Sequence, residues 1–451
     1  TIFGFVFDLA DWSDCHFYNE AHRHATFLEL GLPRREGGGG LLHLKPIGNA
    51  AFVGSWFSTV PILAKHRDLS IDQLLKDWDQ RVRDGASSML SLVWWHAQRL
   101  ERSPPPVSLR ALFNVCMLKA RAGLSQEMQA LSDDELLSRS EFHPQWQRWL
   151  SYSAWEKQAE IRKSLVLHLP SDFRKRELRR LEAHRMPRAG RWLGVIPAAR
   201  HLQLENLEAR DYFCFYFGVP PLPVRADSFV PVSNISECPP IRCWLTNAKG
   251  KQCEEDFRGL FDHPYSCKTR GRVVEHNALR NVLRNEIAAL GFAVDPRETW
   301  EESLAHTGPG ARGHSDAHLD IRIEDLGEGA AVVDVKYTSV TAATAMKRGS
   351  VLAHVNQEER IKFGDHRSRY RITDSDGRHT TQLHTFAAIF TTFGGWSKGA
   401  MKLVRTLGAE SGRSTQRLVD RIAILIARIG ARRLRASIGP RSSSFSQSQS
   451  Q

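Results

Sequence analysis

Two stretches decide the fold: Ala317-His318-Leu319-Asp320-Ile321-Arg322-Ile323, and Ala330-Ala331-Val332-Val333-Asp334-Val335-Lys336-Tyr337. In the first, Leu319, Ile321 and Ile323 alternate with Asp320 and Arg322. In the second, Val333, Val335 and Tyr337 alternate with Asp334 and Lys336. Successive side chains of a strand point to opposite faces, so both stretches read as half-buried strands. Asp325 to Gly329 reads as the turn that pairs them in a hairpin. In that register Asp320 falls beside Asp334 and Lys336 on one face.

Such a face has a chemical use. Two carboxylates hold Mg²⁺ through oxygen ligands, and the metal activates a water and polarises a phosphodiester. A lysine two residues on orients the water or neutralises charge on phosphorus. Asp320, Asp334 and Lys336 are therefore the candidate catalytic residues, with Asp320 and Asp334 as the Mg²⁺ ligands. The competing reading is a pair of edge strands with charged outer faces and no metal.

Working outward, 274–290 carries Leu279, Val282, Leu283, Ile287 and Leu290 at helical spacing. Gly291 suits a left-handed cap, and Phe292-Ala293-Val294 reads as a strand. The polar side of the helix holds His276, Asn277, Arg280, Arg284 and Glu286. Glu286 is the candidate third acid, with Glu298 a weaker alternative. Phe386 to Phe390 reads as a buried strand completing the sheet. Lys362 falls on a helix, either touching phosphate or on an exposed face.

The cysteines cluster. Of seven, four fall in the run Cys238-x4-Cys243-x9-Cys253-x9-His263-x3-Cys267. Thiolates and imidazole in such spacing fit tetrahedral Zn²⁺. His263 and Cys267 form one half-site. Cys243 and Cys253 are favoured for the other, with Cys238 as the alternate. Four protein ligands close the site, so this zinc would be structural.

The chain has 451 residues, 62 Lys plus Arg against 50 Asp plus Glu, and 41% hydrophobic residues. This composition is globular, and its charge of +12 favours an anionic partner. No apolar run reaches membrane-spanning length. The chain begins at Thr1, which suggests a fragment of a longer protein. Residues 173–191 are rich in arginine; Arg174, Arg176, Arg179 and Arg180, with His276 and Arg280, are candidates for nucleic-acid contact. The other reading of that run is a solvated helix face.

Residues 69–165 read as helical. Leu74, Leu75 and Trp78 form one core stripe, and Met89, Leu92, Val93 and His96 a second. Ser103 to Pro106 breaks the run. Ser132-Asp133-Asp134-Glu135 is a helix start with acids at the positive dipole end. No aromatic-x-Asp-Asp turn occurs, so a reverse transcriptase active site is not expected here. Gly37 to Gly40 marks a turn, and Pro220 to Pro223 a linker. Residues 414–436 suggest an amphipathic helix, with Leu418, Ile422, Leu425 and Ile429 on one side. Arg421, Arg428, Arg432 and Arg433 fall largely on the other.

In order, the chain presents cysteines, Asp262-His263-x3-Cys267, Glu275-His276-Asn277, Asp320 and Asp334-x-Lys336. This resembles the C-terminal region of non-LTR retrotransposon proteins that carry a restriction-enzyme-like endonuclease. In that family a zinc motif is followed by Arg-His-Asn or Arg-His-Asp and then a PD-(D/E)xK nuclease core. Here Glu275 stands in the arginine position, and Leu319 where proline precedes the aspartate. Leu32 to Gly38 through Trp56, Trp192 to Pro197, and Tyr216-Phe217-Gly218 resemble flanking segments of the same family.

The resemblance implies an α+β protein with a mainly helical N-terminal half, a zinc knuckle, a small mixed-sheet restriction-endonuclease-like core and a helical C-terminus. The expected divisions are 1–170 (helical, following a polymerase core), 171–235 (basic helix and linker), 236–270 (zinc knuckle), 271–400 (nuclease), 401–436 (C-terminal helices) and 437–451 (disordered tail). It further implies a nuclear protein that nicks target DNA so that a reverse transcriptase region of the same polypeptide primes on the new end. Element RNA is a further expected partner. The alternative is a nucleic-acid-binding remnant that keeps zinc and arginines but does no chemistry.

Overall fold

The fold was obtained as a computed structural model. It describes residues 20–34, 38–39, 44–86, 88–100, 105–169, 171–195, 198–218, 242–246, 249–253, 262–267, 273–294, 299–300, 318–327, 329–367, 372–373, 379–381 and 384–438. Gly37, Gly40, Ser103, Pro104, the Pro220–Pro223 linker, Cys238, Glu298 and the 442–451 tail lie outside them. The chain is α+β and mostly helical, with one three-stranded mixed sheet and a Cys/His cluster. It divides into two compact units, one of residues 28–36 and 40–164, the other of 1–27, 37–39 and 165–451.

The smaller unit is helical. Its elements include α1 (Leu44–His66), α2 (Ile71–Arg83), α3 (Ser88–Gln98), α4 (Leu109–Arg121) and most of α5 (Trp146–Leu167). Phe57, Leu74, Trp78, Val93, Phe113 and Trp146 lie in its core. Helix starts are fixed by short polar side chains that accept otherwise orphaned backbone N–H groups. Ser70 and Gln73 form a capping box on α2, and Ser132 and Glu135 form one on the helix Asp133–Leu137. Ser108 caps α4, and the nearly buried Asp79 accepts from the N–H groups of Leu109 at 2.8 Å and Arg110 at 3.3 Å.

The second expected stripe divides. Val93 is fully buried, but Met89 and Leu92 are exposed at 49% and 41%. The buried side of α3 is instead Leu90, Val93 and Ala97. The two sides of this helix are almost equally apolar, so periodicity alone did not orient it.

The larger unit holds the sheet. β1 (Ile321–Leu326) and β2 (Gly329–Thr338) are antiparallel, and β3 (His384–Thr391) lies parallel to β2 on its other edge. The turn between β1 and β2 uses Gly327 at φ 67°, a left-handed conformation that favours glycine. β2 is central, which explains its nearly continuous apolar run from Ala330 to Val333. Residues Phe386 to Phe390 form the buried part of β3.

Around the sheet are α6 (Ser171–His184), α7 (Asn206–Tyr216), α8 (Val273–Ala289), α9 (Val351–Arg367), α10 (Lys398–Ser411) and α11 (Gln416–Ile438). Gly291 follows α8 at φ 103°. Phe292 to Val294 does not make a strand of its own; Val294 forms a single bridge to Ile323. On α11, Leu418 and Ile422 are buried as the pattern implies, with Ile424, Ile426 and Ala427 beside them, and Leu425 is half-buried. Arg433 departs from the expected polar side and is buried at 2% exposure, because it has an acidic partner inside. Among the described residues, no helix is long and apolar enough to cross a membrane.

Candidate functional site

Two constellations form within the larger unit. The first joins Cys243, Cys253, His263 and Cys267, whose ligand atoms all lie within 4.8 Å of one another. The Cys243 and Cys267 sulfurs are 4.0 Å apart, and Cys253 Sγ is 3.5 Å from His263 Nε2. A tetrahedral Zn²⁺ with bonds of 2.3 Å holds sulfurs about 3.8 Å apart, so the four side chains suit a metal ion such as zinc. Among the described residues this is the one group of three or more metal-ligating side chains brought together.

Local structure builds this cluster. A bridge between Thr246 and Gln252, with the Cys253 N–H donating to Leu245 O, turns the chain so that Cys243 and Cys253 converge. One helical turn, His263–Ser266, brings His263 and Cys267 together, and the Cys267 N–H donates to His263 O at 2.7 Å. The hydrogen bond to Cys267, together with burial, holds the Cys243 thiol above the ordinary thiol range. Metal binding at these residues must therefore release protons.

The knuckle is bolted to the C-terminal helix. Arg433 donates to Pro264 O, to Cys267 O at 3.2 Å and to Glu275 Oε1 at 2.9 Å. The Tyr265 hydroxyl donates to Gly430 O at 2.9 Å, and the Trp244 N–H to Ser437 O at 2.8 Å. Glu275 is thus the internal counter-charge of Arg433.

The second constellation lies on β1, β2, α8 and α9. β1 pairs with β2 from Ile321↔Val333 onward, and Asp320 immediately precedes β1. Asp320 Oδ1 lies 2.8 Å from His276 Nε2, and Asp320 Oδ2 accepts the Val335 N–H at 2.7 Å. Asp334 Oδ2 lies 2.8 Å from Lys362 Nζ. Lys336 is paired with Glu358, which also has Arg348 at 3.7 Å. Burial raises the Glu358 carboxyl, but Lys336, His354 and Arg348 outweigh it and keep it below its ordinary value. His354 meets the Thr338 hydroxyl at 3.1 Å. Burial drives the His354 imidazole down to about 4, against the pull of Glu358, so it is neutral at pH 7.

Of the residues singled out in the sequence, the structure pairs Asp320 with His276, Asp334 with Lys362 and Lys336 with Glu358, and Asp320 accepts the N–H of Val335, the residue after Asp334. Glu286 faces elsewhere: it is 3% exposed and ion-paired with Arg421 and with Arg417 at 3.3 Å, holding α8 to α11. It stands ten residues along α8 from His276, about 15 Å of helix rise. The arginines of α6 turn largely inward. Arg176 pairs with the buried Asp262 at 2.7 Å, Arg180 with Glu177 at 2.7 Å, and Arg179 with Glu182 at 3.3 Å and with Arg348 O. Arg174 donates to Leu169 O at 3.2 Å. Arg280 is half-buried one helical turn beyond His276, with Asn281 Oδ1 at 3.4 Å.

The sequence reading missed Glu358 and His354. Their signal was the i, i+4, i+8 spacing of His354, Glu358 and Lys362, which lines one side of a helix with titratable groups. No protein-family model matches the chain, and no curated protein matches it.

Proposed function

We propose that this chain is a metal-dependent DNA endonuclease, the C-terminal part of a retrotransposon-type protein, with its site at Asp320 and Asp334. The observation that supports the reading is that Asp320, 2.8 Å from His276, accepts the Val335 N–H on the central strand, next to Asp334, which lies 2.8 Å from Lys362. A small mixed sheet flanked by helices is compatible with a restriction-endonuclease-like core.

In this reading Asp320 and Asp334 supply oxygen ligands to Mg²⁺. That ion, when bound, activates water and polarises the phosphodiester. His276 orients the Asp320 carboxylate, as does the Val335 N–H. Lys336 brings positive charge to where negative charge develops on the phosphoryl group. The Cys/His cluster, holding Zn²⁺, fixes the knuckle against α8 and α11 and takes no part in the reaction. DNA is the proposed substrate, element RNA a second partner, a reverse transcriptase region of the same polypeptide the source of the primer-extending activity, and the nucleus the place of work.

A second reading, a nucleic-acid-binding remnant, is favoured by the engagement of Glu286 with arginines in place of the acid pair. A divalent-metal titration on a labelled DNA duplex, followed by both mobility shift and strand cleavage, separates the two. Cleavage requiring Mg²⁺ or Mn²⁺ is expected. Persistent binding with intact DNA leaves only the remnant.

A further inference from the structure

One side of α9 zips along one side of β2. Thr338 meets His354, Lys336 meets Glu358, and Asp334 meets Lys362. Two strand residues advance about 6.7 Å and four helical residues about 6 Å, so the pairing keeps register over all three rungs. The rungs differ in character. The first is a neutral hydrogen bond. The second is a charge cluster in which Lys336 and Arg348 flank Glu358. The third sets the Lys362 ammonium on an acid of the proposed metal site.

The two acids are covered differently. Both Asp320 oxygens accept hydrogen bonds, one of them from backbone that cannot swing away. Asp334 is 8% exposed, and the Lys362 side chain above it is 32% exposed. Lys362 therefore sits between the carboxylate and solvent, on a four-carbon stem free to rotate outward. An ammonium and a divalent ion compete for one carboxylate, because two positive charges a few ångströms apart repel in a partly buried site.

We propose that Lys362 is the resident counter-cation of Asp334, and that a divalent ion enters the acid pair only by displacing it. This rests on the metal-dependent reading of the Asp320–Asp334 face. Lys362 is a positioning residue in this scheme: it keeps the metal-free site neutral and folded, and it sets the metal affinity. Lys336, held by Glu358, does not exchange.

The test is Mn²⁺ binding to the full, zinc-loaded chain, read as free Mn²⁺ by electron paramagnetic resonance. Wild type is compared with K362Q, K362R, K336Q and D334N. Loss of the competing charge should tighten Mn²⁺ binding about tenfold or more in K362Q. K362R should stay near wild type, K336Q should gain less than K362Q, and D334N should lose the site. A second readout needs no variant: Mg²⁺ should raise the acetylation rate of Lys362 in the wild-type chain, measured by mass spectrometry, and leave that of Lys336 unchanged. If K362Q binds no tighter and Lys362 reactivity ignores the metal, while D334N still abolishes binding, the counter-cation role is overturned and the metal site stands. If no binding depends on Asp334 in any variant, the nuclease reading falls as well.

Discussion

The Arg433 guanidinium meets the Glu275 carboxylate at 2.9 Å, with their side chains only 2% and 6% exposed. The same guanidinium donates to two backbone carbonyls of the Cys/His knuckle, so one buried side chain ties α11, α8 and the cluster together. Removing one partner of a buried pair leaves an uncompensated charge, at a cost of about 3–5 kcal/mol. Arg433→Met and Glu275→Gln should each lower the unfolding free energy of the larger unit by that amount, read from denaturant titration. The double variant should cost less than the sum of the two. Additive losses in a double-mutant cycle would contradict the pairing.

The cluster makes a spectroscopic prediction. Co²⁺ added to the metal-free chain should give the thiolate-to-cobalt charge transfer of a site with three sulfurs and one nitrogen. Cys253→Ser should weaken that band, and the purified chain should carry one equivalent of zinc. A chelator should lower the melting temperature of the larger unit, since metal binding energy is folding energy. A melting curve that ignores chelator would contradict a structural metal.

His354 gives stability a pH dependence of definite sign. Its folded pKa of about 4 lies below the unfolded value of 6.5, so the unfolded chain binds more protons between these values. Its contribution is whole above pH 6.5 and is lost as pH falls towards 4, to a total of about 2–3 kcal/mol. The depressed Glu358 carboxyl acts in the same direction at lower pH. His354→Gln, which can still bond to Thr338, should flatten the stability profile between pH 4 and 6.5. An unchanged slope in that variant would rule out His354 as its source.

In the smaller unit, Asp79 caps α4 from a distance in sequence by accepting the Leu109 and Arg110 N–H groups. Asp79→Ala should destabilise this unit by about 1–2 kcal/mol, the range of a lost N-cap. Chemical denaturation followed by tryptophan fluorescence would show it, with Trp78 beside the site. Asp79→Asn should retain most of the stability.

How far the sequence was readable depends on the range of the interactions. The β1–β2 hairpin was legible because strand alternation and a glycine turn are local. The four residues of the Cys/His cluster were legible because two short turns hold them. Arg433 was misplaced because a guanidinium is buried only by virtue of Glu275, 158 residues away. Met89 and Leu92 were placed inside because α3 is apolar on both sides, and period alone does not say which side meets the core. Glu358 escaped notice because its partner Lys336 lies on another element, 22 residues earlier.

Nicking of a supercoiled plasmid by zinc-loaded wild type and by Asp334→Ala, with Mg²⁺ and with Mg²⁺ omitted, tests the central claim most directly. The expected result is an open circle formed by wild type in Mg²⁺ only, and at least a hundredfold less of it with Asp334→Ala. Equal nicking by the variant, or none by a wild-type chain that still binds the plasmid, would contradict a nuclease site on the β1–β2 pair.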